Sequence, residues 1–333
     1  MKAPTFWQAG QGGMSAALLT PASWIYRTGA ALKKTFGSAP WKAPVPVICI
    51  GNVTAGGAGK TPIALNIATR LIANGAKVHF LTRGYGGRMK EAGEVAPDYH
   101  TATDVGDEAL LLARIAPTWV GSDRAASARL AVAAGADVLI MDDGLQNFTL
   151  AKDLSLLVID GGYGIGNGRV IPAGPLREPV TQALDRSSGV VCIGDDQTGV
   201  LETVPSSLPK FIARIRPNTE RTDFGAGKFL AFAGIGRPEK FFQTLRDAGA
   251  DVVATNSFTD HHRFSTAEIS ALRAQAAALN ARLITTEKDW VRLDQSDRDG
   301  IDVLTIDIEW QDESAIDNLL APLIAPLMVR HAD

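Results

Sequence analysis

The stretch VPVICIGNVTAGGAGKTPIALNIATRLI, residues 45–72, constrains the fold more than any other part of the chain. An apolar run ends at Ile50, a Gly-rich turn follows, and Ile63, Ile67 and Leu71 then recur at helical spacing. This is the strand–loop–helix setting that a Walker A phosphate loop requires. Thr54, Ala55, Gly56, Gly57, Ala58 and Gly59 are small enough for backbone N–H groups to turn inward around phosphate oxygens, and the helix N-terminus adds a favourable dipole. Lys60 is spaced to reach the β- and γ-phosphates and the Thr61 hydroxyl to ligate Mg2+, while Pro62 in the first turn costs no helical hydrogen bond. The motif wants Gly where this chain has Thr54; Gly51, Gly56 and Gly57 supply flexibility nearby. The competing reading is a chance Gly-Lys-Thr in an ordinary turn, and the flanking strand and helix weigh against it.

A second strong strand, in ADVLIMDDGLQN, ends on Asp142 and Asp143. A hydrophobic strand ending in Asp is the Walker B arrangement, whose carboxylate holds Mg2+ directly or through water. If the strand persists, adjacent side chains point to opposite sides, so one Asp serves the metal and the other a hydrogen bond or a second ion. Which does which is open at this level.

Strand-like runs alternate with Ala- and Leu-rich helical segments. Strands are expected at 45–50, 77–82, 137–142, 155–160, 189–193, 211–215, 228–233, 251–254, 282–285 and 302–306, and helices at 61–74, 107–115, 123–134, 238–248 and 265–279. Such alternation predicts an α/β protein with a mostly parallel sheet. The segment 210–227 lacks helical periodicity and reads as a connector, with a second alternation beyond it. The expected division is an N-terminal segment 1–40, a phosphate-loop core domain 41–216 and a smaller α/β domain 217–333.

A net charge of −3 argues against an overall nucleic-acid binder, but the charge is unevenly spread. Residues 1–90 hold 11 Lys and Arg and no acid, whereas the remaining 243 hold 22 basic and 36 acidic residues. Trp7, Trp24 and Trp41 also fall early, so the N-terminal part is suited to an anionic partner, membrane or phosphate. Within 20–36, Thr20 can cap a helix with Pro21 at its first position, and Ile25, Gly29, Leu32 and Phe36 share a face. Arg27, Lys33 and Lys34 lie off that stripe, a pattern that fits either an interfacial helix or one packed on the protein's own core. No run is long enough to span a bilayer, and Cys49 and Cys192 sit in strand-like runs as free buried thiols suited to a reducing cytosol.

The loop GNGRVIPAGPLREP carries Arg177 and Glu178, a pair suited to phosphate and metal contact or to an ion pair of its own. Arg83, after a strand, can clamp a substrate phosphate, and Lys288 can contact nucleotide; both can equally be ordinary loop charges.

Several motifs occur in one order: GNVTAGGAGKTP, TRGYGG, VGDEALLLA, MDDGLQN, IPAGPLREP, AGIGRP, FTDHHRFS and TTEKDWVRL. Together they resemble the tetraacyldisaccharide 4′-kinase family of lipid A synthesis, in which Thr54 is itself usual. The resemblance implies two α/β/α domains, a P-loop core and a smaller domain, joined by a hinge-like linker around a cleft. It implies transfer of the γ-phosphate of ATP, with Mg2+, to the 4′-hydroxyl of a lipid-linked disaccharide 1-phosphate at the cytoplasmic face of the inner membrane. No nucleic acid and no obligate protein partner is expected. Asp107 and His261 match the family's dyad that prepares the acceptor hydroxyl, one from each domain. Gln146 is retained from the family's Asp-Asp-Gly-Phe-Gln-His segment, and is read with Arg83 and Arg177 as a substrate contact. Leu145 and Asn147 depart from that segment, as Ala109 departs from Gly-Asp-Glu-Pro. The resemblance turns the preference for 20–36, with Lys42 and Trp41, toward the membrane surface. Two other classes share the phosphate loop: an ATPase switch or metal-insertion protein acting on a partner, and a soluble small-molecule kinase.

Overall fold

The computed structural model describes residues 4–35, 39–219, 222, 224–225 and 227–330. After a helix α1 (Gly13–Thr35), the chain runs β1 (Val47–Gly51), α2 (Lys60–Ala73), β2 (Val78–Thr82), β3 (Gly93–Glu94), α3 (Ala102–Val105) and α4 (Asp107–Ala113). It continues through β4 (Thr118–Val120), α5 (Arg124–Ala133), β5 (Val138–Asp142), β6 (Leu154–Asp160), α6 (Val180–Leu184), β7 (Gly189–Ile193) and β8 (Lys210–Pro217). Then come β9 (Lys228–Ala233), α7 (Pro238–Asp247), β10 (Asp251–Ser257), α8 (Thr266–Ala278), β11 (Ala281–Thr286), α9 (Glu287–Trp290) and β12 (Ile301–Leu304). The last elements are β13 (Ile306–Trp310) and α10 (Glu313–Arg330).

Among the described residues, nine strands form one sheet in the order β13-β8-β7-β6-β1-β5-β2-β4-β3. Its interior pairs are parallel, and β3 and β13 close the two edges antiparallel. Strand β1 is buried throughout, because alternate side chains feed two different cores. Ile48 and Ile50 pack with Ile63, Ile67 and Leu71 of α2 and with Ile316 and Leu320 of α10. Val47 and Cys49 pack on the other face with Ala128 and Ala131 of α5 and Ala183 of α6. Both faces are thus covered, as a parallel sheet requires.

The smaller sheet, β10-β9-β11-β12, repeats the scheme. Phe229, Ala231 and Ala233 meet Phe241, Phe242 and Leu245 of α7, while Leu230 and Phe232 meet Ile269 and Leu272 of α8. Helix α8 starts at a capping box in which Ser265 and Glu268 satisfy each other's backbone N–H groups.

Three expectations change. The run 302–306 divides between the two sheets, so 217–333 is not one unit: β13 and α10 return to the larger sheet. The chain therefore crosses between domains twice, and the crossings are bonded together where Asn218 N–H donates to Thr305 O at 2.9 Å and Thr222 Oγ1 to Val303 O at 3.2 Å. The segment 210–227 is a connector only in its later part: the strand expected at 211–215 forms as β8 and runs on to Pro217, with Ile212 and Ala213 paired to β7. Helix α1 begins earlier than expected and runs through Pro21; Thr20 does not cap it, and its hydroxyl donates to Ala16 O within the helix at 2.9 Å.

Gly51 is needed where β1 turns into the phosphate loop. A Cβ there would lie 2.5 Å from Leu145 Cβ and 3.1 Å from Leu145 N, with no flexible atom to yield. Gly51→Ala is expected to cost about 1–3 kcal/mol by overpacking and to weaken ATP binding, read by urea melts and nucleotide titration.

Candidate active site

The phosphate loop and the Asp pair are brought together by register. Strand β1 lies between β5 and β6, with Ile50 opposite Asp142. Gly59, at φ +81°, delivers Lys60 and Thr61 as the first residues of α2. Thr61 Oγ1 donates to Asp142 Oδ2 at 2.9 Å. Lys60 is buried, donates to Asn52 Oδ1 at 3.2 Å and lies 3.6 Å from Asp143.

The two Asp side chains do not diverge as a continued strand would force. The strand ends at Asp142, and Asp143 takes a left-handed conformation at φ +57°. Its carboxylate meets Arg177 NH1 at 2.8 and 2.9 Å. Burial opposes its charge, but Lys60 and Arg177 outweigh this and hold the carboxyl below its usual range. Asp142 is the opposite case: burial, with Glu108 and Asp143 adding to it, pushes its carboxyl up to about 7 despite Lys60 and Thr61. Asp142 Oδ1 is buried with no hydrogen-bond partner among the described residues.

That orphaned oxygen beside the Thr61 hydroxyl is the donor set a Mg2+ ion fits, since Mg2+ takes one or two protein oxygens and completes its shell with phosphate and water. No group of three His, Cys, Asp and Glu side chains that could hold a metal occurs among the described residues. Glu178, expected as a metal ligand, is here ion-paired: Arg186 NH2 donates to its two oxygens at 2.8 and 2.7 Å and Gln146 to Oε1 at 2.9 Å. Gln146, expected as a substrate contact, also donates to Asn52 O at 2.9 Å and so braces the exit of β1. Arg177 likewise is spent on Asp143. The N-terminal half of the loop is pinned as well: Ala55 N–H donates to Pro175 O at 2.7 Å, and Thr54 bridges to Leu176. The Ala55 N–H is thereby not free for phosphate, and the open cradle is Gly56 and Gly57, where a Cβ would meet nothing within 4 Å.

The second cluster joins the domains. Asp107 begins α4 in the larger domain and is 5% exposed. His261, in the loop after β10, has φ +58°, and its Nδ1 lies 3.1 Å from Asp107 Oδ2. The expected pair is therefore formed, from two domains. Burial opposes the Asp107 charge, but the His261 hydrogen bond and the Lys288 and Arg292 charges more than offset it, holding the carboxyl far below its usual range. Lys288 Nζ lies 3.8 Å from Asp107 and 3.7 Å from Glu108, so it joins this cluster and not the phosphate loop. His262 is packed between Phe258 and Phe264 and bonded to Glu268, so of the two neighbouring histidines it is His261 that meets the other domain. Arg83 is exposed, one residue beyond the end of β2.

Sequence reasoning missed Asn52, Arg186 and Arg292. Arg292 stands in the quoted TTEKDWVRL motif, but nothing in its spacing says that it crosses the cleft.

The family description tetraacyldisaccharide-1-P 4′-kinase matches residues 15–325. The chain belongs to this family. It is 51% identical over 329 residues to the tetraacyldisaccharide 4′-kinase of Rhodospirillum centenum, covering 98% of this chain and 97% of that one. Over 320 residues it is 50% identical to the protein of the same name from Gluconacetobacter diazotrophicus, covering 96% and 97%. Its fold matches the solved structure of LpxK from Aquifex aeolicus in complex with ATP, with TM-score 0.74 and 24% identity over 93% of this chain and 99% of that one. The protein is accordingly a kinase, with an α/β fold of two α/β/α domains.

A carboxyl near 7 when folded and at the ordinary 3.8 when unfolded stabilises the fold below the unfolded value and loses that contribution as pH rises through 7. Asp142→Asn, free of nucleotide and metal, is expected to gain melting temperature over the parent progressively between about pH 4 and about pH 7 and to keep that gain above it. A difference that stays flat with pH counts against this assignment.

Proposed function

We propose that the chain transfers the γ-phosphate of ATP to the 4′-hydroxyl of a tetraacyldisaccharide 1-phosphate, with His261 as the base. The observation that carries this is the His261–Asp107 pair, 3.1 Å apart and assembled across the cleft from two domains. A sugar hydroxyl is a poor nucleophile at neutral pH and needs a positioned acceptor for its proton. With Nδ1 turned to Asp107, Nε2 is the ring nitrogen left for the hydroxyl. In the step, the sugar oxygen bonds to the γ-phosphorus, the bond from that phosphorus to the β–γ bridging oxygen breaks, and the hydroxyl proton passes to Nε2. Asp107 stays ionised and orients the ring. Lys60 holds the β- and γ-phosphate charge, and backbone N–H groups of residues 56–61 cradle the oxygens. Thr61 and Asp142 would hold Mg2+, which when bound neutralises charge on the β- and γ-oxygens. Arg83, exposed just beyond β2, is read as the contact for an anionic group of the acceptor.

The N-terminal helix supports a lipid acceptor and a peripheral seat on the cytoplasmic face of the inner membrane. At about 100° per residue, Met14, Leu18, Ile25 and Leu32 fall within about 40° of one another, and all four are exposed. Ala16 and Ser23, on the opposite side, are buried. The helix thus packs by its small residues and presents its large apolar ones outward, the reverse of a helix seated on its own core. No described helix is long and apolar enough to cross a membrane. Trp41 and Lys42 do not extend this surface: Trp41 pairs with Leu150 under Arg129, and Lys42 is bound to Asp153. Phe36 and the side chains of Lys33 and Lys34 lie outside the described residues.

His261→Ala is expected to cut transfer of labelled γ-phosphate to the acceptor in detergent by about two to four orders of magnitude. A partner-stimulated ATPase would instead keep its hydrolysis and give no phosphorylated lipid. Removal of residues 1–40 is expected to abolish cosedimentation with anionic liposomes; unchanged sedimentation would favour a soluble acceptor.

A further inference from the structure

We propose that Arg292 is the positioning residue of the dyad: from the small domain it fixes the Asp107 carboxylate to which His261 is turned. This rests on the reading of His261 as the proton acceptor. The Arg292 side chain is 3% exposed, and every nitrogen of its guanidinium is used. On its own domain, NH1 donates to Gly234 O at 2.6 Å and to Asp289 Oδ1 at 2.7 Å. Asp289 is wholly buried and is itself held by Gly234 N–H at 3.0 Å and Thr286 Oγ1 at 2.8 Å. The anchor is therefore rigid. Toward the other domain, Nε donates to Asp107 Oδ2 at 2.9 Å, and NH2 donates to the same oxygen. The other oxygen, Oδ1, accepts the Glu108 N–H at 2.9 Å, so the carboxylate has no freedom to rotate.

Arg292 NH2 also lies 3.2 Å from His261 Nδ1, the nitrogen that meets Asp107. A guanidinium nitrogen can only donate. Nδ1 therefore faces an acceptor and a permanent cation at once. Arg292 thus holds the same carboxylate oxygen that Nδ1 meets. The other groups around the ring are Asp260, 3.9 Å from Nε2, and the Tyr85 ring at 6.0 Å, with Lys288 and Glu108 beyond Asp107. None of them replaces the cation at Nδ1.

The test compares Arg292→Met, Arg292→Lys and His261→Ala in the detergent assay, with kcat and both KM values followed and folding checked by thermal melts. Arg292→Met is expected to lower kcat about 10- to 100-fold, within the range a misplaced base costs, with KM for ATP little changed. Arg292→Lys keeps one donor for Asp107 but loses the fork, so it should recover part of that rate with KM for ATP again little changed. Full rate in Arg292→Met, or a loss in either variant that falls on KM for ATP with kcat unchanged, overturns the proposal while leaving the base assignment intact. If Arg292→Met does not fold, full rate in Arg292→Lys overturns it. Transfer that survives His261→Ala sinks the base reading itself.

Discussion

The parallel pairing of β1 between β5 and β6 is the constraint on which the site depends. It sets Ile50 opposite Asp142, so the loop that leaves β1 and the carboxylate that ends β5 emerge side by side. A slip of one residue would turn Asp142 to the other face and put its charge in the core. The register is secured because β1 is buried on both faces, with Ile48 and Ile50 committed to one core and Val47 and Cys49 to the other. Once that pairing exists, Thr61 meets Asp142, and Lys60 meets Asp143, without further adjustment.

The acceptor half of the site is built on electrostatics between the two domains. Asp107 and Glu108 stand on the larger domain, and Lys288, Arg292 and His261 on the smaller. Arg237 and Asp160 make a further ion pair between the domains. At Asp107 the pairing is buried, where removing one partner leaves an uncompensated charge and is far more costly than losing a surface bridge. The two crossings of the chain, tied together through Asn218, Thr222 and Thr305, limit how the small domain can approach. His261 and Asp143, one on each side of the cleft, both hold left-handed backbones that only a well-determined surrounding keeps in place.

The phosphate loop, the Asp pair and most strands were legible because each rests on local pattern: buried runs, Gly spacing, a helix start. What was not legible depends on closure in three dimensions. Strand β13 looks in sequence like the end of the second alternation, and only its antiparallel pairing with β8 returns it to the larger sheet. Asp142 and Asp143 were indistinguishable until the strand ended between them. Glu178 and Gln146 read as ligands by type, but Arg186 and Asn52, distant in sequence or unmarked by any motif, take up their polar atoms. Asp107 and His261 followed from family resemblance and not from spacing, since 154 residues separate them.

The rigid loop of residues 166–179 connects features that the sequence leaves separate. On one side it receives the N-terminal segment: Ser23 Oγ donates to Val170 O at 2.7 Å, Arg169 donates to Thr20 Oγ1 at 2.7 Å, and Trp7 Nε1 donates to Pro172 O at 3.1 Å. On the other side it holds the phosphate loop, through Pro175 O to Ala55 N–H and through Arg177 N–H to Val53 O at 2.7 Å, and its Arg177 side chain restrains Asp143. The loop is stiffened internally where Asn167 Nδ2 donates to Ala173 O at 2.9 Å and Leu176 N–H to Arg169 O at 3.0 Å. The outward apolar face of α1 is thus fixed in orientation relative to the phosphates. A kinase acting on a lipid headgroup needs this, because a freely swinging anchor would leave the distance from the bilayer to the γ-phosphate undefined, and a misplacement of about 1 Å costs orders of magnitude in rate. The small inward residues Ala16 and Ser23 serve that end, letting the helix backbone sit close to the loop while its large side chains remain outside.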